Sequence, residues 1–153
     1  MNVNEMKELY ANIDACSYVT KGESDSRETH FNFKVICGEN LLKISAEFEK
    51  FALICKEKYE ELVDPEYATF DCYANKLAES KDAEKKIEKL AKKYEKAIES
   101  HDTYQKWLLD VFFKQEVELP DLIMIDFADV PEKIAGGYLI AIKSMIKNFP
   151  EFK

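Results

Sequence analysis

The chain has 153 residues, 46% of them apolar and 12% aromatic, and a net charge of −8. That length suits one domain with a sizeable buried core, and the aromatic content excludes a disordered polymer. Arg27 is the sole arginine among 22 basic residues, so the clustered Lys/Arg surface that grips phosphate is missing and no direct nucleic-acid contact is expected.

Four glycines and four prolines leave few turn signals, and the fold class read from the pattern is mainly α. Met6, Leu9, Tyr10, Ile13 and Cys16 recur every three or four residues, predicting a short helix within 1–20. KGESDSRET (21–29) reads as an exposed loop. A long helix over 31–63 is carried by the stripe Leu41, Ile44, Phe48, Phe51, Cys55, Tyr59 and Leu62. Its start is ambiguous. Phe31, Phe33 and Val35 alternate as in a strand, and Gly38 weakens a continuous helix by roughly 1 kcal/mol. Helix is the favoured reading.

Asp64-Pro65-Glu66 ends that helix and has the form of a new start, with Asp64 as N-cap. Residues 64–80 form an aromatic connector. A second long helix is expected over 82–115, with Ile87, Leu90, Tyr94, Ile98, His101, Tyr104, Leu108 and Val111 as its stripe. Between 76 and 96 this part carries eight lysines against five acids. Two helices of nearly equal length, each about 50 Å, most simply fold as a long antiparallel hairpin. An extended clasp near 116–127 follows, with Ile123, Ile125 and Phe127 on one side. Asp129-Val130-Pro131-Glu132 resembles a capping box and introduces a C-terminal helix over 129–148, where Gly136-Gly137 would admit a close backbone neighbour.

Chemistry is sparse. His30 and His101 stand 71 residues apart and lack the HExxH spacing of a metal site; His101, on the helical stripe, reads as a satisfied boundary residue. No GxGxxG, GxxxxGK or GxSxG motif occurs to cradle phosphate or present a nucleophile. Cys16, Cys37, Cys55 and Cys72 form no CxxC pair and read as reduced core thiols. Glu57, Glu60 and Glu61 lie off the apolar stripe and read as solvated. No catalytic residue, cofactor or metal ligand is assigned. No apolar run approaches a membrane span, so a cytoplasmic protein is expected.

The stretch EVELPDLIMIDFADVPE (116–132) holds six carboxylates and no base. Asp129 and Glu132 are assigned to capping. The remainder, Glu116, Glu118, Asp121 and Asp126, are the candidate partner-binding residues. In order along the chain, "NLLKISAEFEKFALICKEKYEEL", a second charged helix and "EVELPDLIMIDFADVPEKIAGGYLIAIKSMI" resemble a family of short uncharacterised proteins from tailed phages and prophages of Gram-positive bacteria. Glu116, Val117, Glu118, Leu119, Pro120, Ile123 and Asp126 carry the specific part of the resemblance, followed by Leu139 and Ile142.

The resemblance implies a viral origin, and the family has no established activity to carry over. Three functions are open at this point. The first is a non-enzymatic accessory protein that binds, and by binding inhibits, a host or defence protein. The second is an oligomeric structural or assembly protein of the virion, and self-association is expected in either case. The third is a small-molecule binder whose pocket is lined by Tyr67, Phe70, Tyr73, Tyr94, Tyr104 and Trp107.

Overall fold

The structure is a computed structural model that describes residues 1–18 and 27–151. Of the expected loop 21–29, residues 21–26 lie outside the described residues and 27–29 belong to a helix. The chain is mainly helical. The described residues form helices α1 (Val3–Ser17), α2 (Arg27–Leu62), α3 (Glu66–Leu77), α4 (Ala83–Lys93), α5 (Glu95–Trp107) and α6 (Gly136–Ala141), with two brief strands, β1 (Ile125–Asp126) and β2 (Ile146–Lys147). Two compact units result: 1–50 with 115–153, and 51–114. Helix α2 is unbroken and contributes to both.

The first unit is built on α1. Asn2 accepts from the Glu5 backbone N–H at 2.9 Å while its amide donates to the Glu5 carboxylate at 3.2 Å, so the N-terminal donors of the helix are met locally. Of the expected stripe, Met6, Leu9, Ile13 and Cys16 are each at most 4% exposed and Tyr10 is half-buried, and Val3 joins the buried row at 2%. At roughly 1.5–3 kcal/mol for each large apolar side chain buried, this short helix is held by packing and not by propensity. Tyr10 adds a tilted ring contact with Phe48, and α6 lies against α1.

From α2 the first unit takes Phe33, Cys37, Asn40 and Ile44, all fully buried. Their spacing of four, three and four is helical, and the alternating-strand alternative for 31–37 is not what forms: Phe33 is buried while Phe31 and Val35 are exposed. Asn40 is the polar member of this row. Its Oδ1 accepts the Ile123 backbone N–H at 2.7 Å and its Nδ2 donates to the Ile123 carbonyl at 3.0 Å. One side chain thus occupies both backbone groups of a residue 83 positions away, as a neighbouring strand would.

The segment after α5 is tied at three points. Val117 N–H donates to the Met1 carbonyl, Asn2 and Glu116 form an antiparallel bridge, and β1 pairs in parallel with β2, Ile125 beside Ile146. Ile125 is buried, but Ile123 is 39% exposed and Phe127 half-buried, so these three do not share one inward side. The Asn40 clamp fixes the backbone of Ile123 and turns its side chain outward.

The long C-terminal helix expected over 129–148 does not form. Helix is confined to the six residues of α6, followed by a 3-10 turn (Lys143–Met145) and β2. The cap is also displaced. Asp126, not Asp129, accepts a backbone N–H, that of Ala128, and it starts a 3-10 turn (Phe127–Asp129). Two glycines at the start of α6 each cost about 1 kcal/mol of helix propensity, while Val130, Ile134, Ile142, Met145 and Ile146 are buried by a chain that changes direction between them. The space around Gly136 and Gly137 is open, so no close backbone neighbour explains them.

In the second unit, the expected connector 64–80 contains a twelve-residue helix, α3. Asp64 starts it, its carboxylate accepting from the Glu66 N–H at 2.9 Å. The single helix expected over 82–115 is divided. Asp82 takes a left-handed conformation (φ 58°), Tyr94 separates α4 from α5, and Leu108–Phe112 form a π-helical turn in which Phe113 N–H reaches Leu108. Phe51 meets Phe112, Tyr59 meets Tyr104, and Asp64 N–H donates to Ser100 Oγ.

Few side chains here are buried: Val63, Ala97 and Phe112. Many of the other contacts run ring to ring. Tyr94, Phe70, Tyr67, His101, Tyr104, Trp107 and Phe112 follow one another with centroids 3.9–6.5 Å apart. His101 lies flat on Tyr67 at 3.9 Å and 5°, a packed position consistent with a boundary histidine. Of the aromatics expected around a small-molecule pocket, Tyr67, Phe70, Tyr94, Tyr104 and Trp107 are engaged in this row, whereas Tyr73 is 49% exposed with the Lys76 ammonium over its ring.

Replacing Asn40 with Ala removes both bonds to Ile123 and leaves its backbone groups without partners, an expected loss of about 2–3 kcal/mol in urea unfolding. In hydrogen exchange, amides of α1 and of residues 33–44 should be protected longer than those of α3 and α4, because protection follows buried apolar contact.

Candidate functional site: an open groove beside the parallel strand pair

The four candidate acids do not act as a set. Glu116 accepts the Met1 ammonium at 2.7 Å, which raises the pKa of that amine through the hydrogen bond. Asp126 accepts from Ala128 N–H at 3.0 Å and from the Asn148 amide at 2.7 Å. Those two bonds, with Lys147 nearby, hold its carboxyl below its ordinary range. Asn148 has φ 59°, a conformation that asparagine tolerates better than most residues. Two of the four acids therefore hold the clasp together. Glu118 and Asp121 are exposed and have no ion pair or hydrogen bond among the described residues.

Asp126 also borders the site that the fold of the first unit creates. An open groove of about 540 Å³ is lined by Asn32, Val35 and Ile36 of α2, Met124 to Asp126, Asp129 and Lys147. Helix α2 supplies one apolar wall, β1 the other, and the charges stand at the rim. Val35 is 44% exposed, Met124 is 42%, and Phe31, one helical turn before Val35, is 65%. The groove can accept an apolar side chain flanked by a cation: two rim carboxylates stand against one ammonium. Sequence reasoning found Asp126 but missed Asn32, Val35, Ile36 and Lys147. The signal for α2 was present in Phe31 and Val35, four apart on one helical face.

The thiols are placed by burial. Cys16 and Cys37 are buried, Cys55 is half-buried and Cys72 is exposed, and among the described residues none is in a disulfide. Desolvation pushes Cys16 up to about 11 and Cys37 up to about 12, so both are protonated and poorly nucleophilic at neutral pH. Among the described residues, no three His, Cys, Asp or Glu side chains converge as for a metal, and no helix is long and apolar enough to cross a membrane. No protein-family model, curated protein or solved structure matches the chain.

The lowered carboxyl of Asp126 fixes the sign of a pH effect. Its contribution to the clasp is complete above the aspartate pKa of the unfolded chain and is lost as pH falls through the lower, folded value. In an acid titration followed by NMR, the Asn148 side-chain amide signals should move as Asp126 protonates, and D126N should abolish that movement.

Proposed function

We propose that the chain is a non-enzymatic accessory protein of phage or prophage origin, acting in the host cytoplasm by binding a protein partner. The origin rests on the resemblance of the EVELP region. The mode of action rests on one observation: the groove, where Val35 and Met124 stand exposed beside Asp126 and Asp129. Exposed apolar side chains rimmed by charge are the usual composition of a protein-binding patch. The partner that fits is a basic segment with a protruding apolar side chain, its cation near Asp129. Occupying a functional surface of a host or defence protein in this way would inhibit it.

An oligomeric assembly protein is the second reading. Phe31, Val35 and Leu42 lie in one line along α2 and are 65%, 44% and 68% exposed, a stripe that a second helix could cover. For the second unit we propose the antiparallel hairpin, 51–64 running against 100–112; the falling order of partners Phe112, Tyr104 and Ser100 supports it.

Affinity capture from host lysate, followed by mass spectrometry, identifies the partner. With that partner in hand, V35E/M124E should weaken binding at least tenfold, the scale of about 1.4 kcal/mol, while the thermal midpoint stays near wild type because both side chains are already exposed. Binding that survives this substitution unchanged removes the groove from the reading.

A further inference from the structure

We propose that the lysine face of α4 docks on the acidic 118–121 stretch of a second copy of this chain. The contact is distinct from the groove and does not depend on it.

The first half of the contact is a helix face rich in lysine. Lys85, Lys89 and Lys92 stand at i, i+4 and i+7, so they share a face, with Lys93 beside them. All four are exposed. Glu84 falls on the flank, Glu88 borders the face between Lys85 and Lys92, and the half-buried Ile87 and Leu90 lie opposite the lysines. Glu88 and Lys92 are spaced for an i,i+4 pair, yet among the described residues no lysine of α4 is in an ion pair. Lys93 is over the Tyr94 ring at 5.6 Å. An array of unneutralised ammonium groups on a chain of net charge −8 is a local field that a carboxylate array can satisfy.

The second half is in the same sequence. Glu118 and Asp121 are the two acids of the 116–126 segment left without a hydrogen bond or salt link, since Glu116 is held by Met1 and Asp126 by Ala128 and Asn148. Their backbone is fixed on both sides, by Val117 to Met1 and by Ile123 to Asn40, which lowers the entropy lost on docking. The dimensions agree. Lys85 to Lys92 rises about 10 Å along the helix, and Glu118 to Asp121 spans at most about 10–11 Å of chain. Lysine, a compact point charge, suits single carboxylates and not the bidentate grip that arginine gives phosphate. The two faces differ, so the contact is head-to-tail: each copy leaves one lysine face and one acidic stretch open, and assemblies grow with concentration.

Sedimentation velocity tests the contact with reversed charges. Wild type should show concentration-dependent growth from micromolar to millimolar at about 50 mM salt and lose it at about 500 mM, where the screening length shrinks to a few ångströms. K85E/K89E/K92E and E118K/D121K should each remain monomeric alone, and an equimolar mixture should associate again. K85Q/K89Q/K92Q, which removes charge without adding repulsion, should weaken growth to an intermediate degree. A monomeric wild type at low salt overturns the proposal, as does association that persists in either reversed variant. A mixture that fails to associate also overturns it, as does a lysine face that takes up duplex DNA or anionic vesicles while the protein does not self-associate.

Discussion

The first unit depends on one amide. Segment 115–124 has no helix and no long strand to satisfy its backbone, and a chain laid against a core without partners for its N–H and C=O groups is costly. Asn40 removes that cost at Ile123 with a donor and an acceptor from one side chain. The side chain is fully buried, and apart from a 3.7 Å contact of its amide with Met145 Sδ its polar atoms are met by Ile123, without which they would be destabilising. Each satisfies the other, and the arrangement admits one register only. From that register follow the position of β1, its pairing with β2, and the groove that β1 and α2 enclose.

The second unit solves a different problem by different means. Its helices α3, α4 and α5 are short; α4 offers Ile87 and Leu90, while the larger apolar positions of α3 and α5 are mostly rings that remain partly exposed. A row of tilted and stacked aromatics brings large contact area per residue, and each favourable pair contributes roughly 0.5–1.5 kcal/mol beyond the area it covers. Burial raises the pKa of both Tyr67 and Tyr104, with the Tyr59 phenol adding to the rise at each. Cohesion here comes from a chain of pairwise contacts, whereas in the first unit it comes from a closed core.

Much of this was legible in the residues. The α1 stripe, the continuous α2, the helix start at Asp64 and the extended character after 116 all follow from spacing and punctuation. What escaped has physical causes. Periodicity sees apolar residues, so a buried asparagine in the row Phe33, Cys37, Asn40, Ile44 looks like a gap. The π turn inserts one extra residue, so the inward position expected at Val111 passes to Phe112, 6% exposed, while Val111 is 51% exposed. Capping boxes are read from a four-residue pattern, and Asp126 and Asp129 both present an acid before a turn; only tertiary pairing with Asn148 selects the first. The site was half legible for the same reason, because charge is visible in a sequence and the wall it stands beside is not.

The distribution of cysteine gives the molecule its own timekeepers. Cys16 and Cys37 carry thiols whose protons are held far above neutral pH by a water-free setting, so they can be alkylated only while the first unit is open. Cys72, on the surface of α3, is reachable at all times. The same reagent therefore reads exposure at one position and the frequency of opening at two others, without any foreign label being introduced.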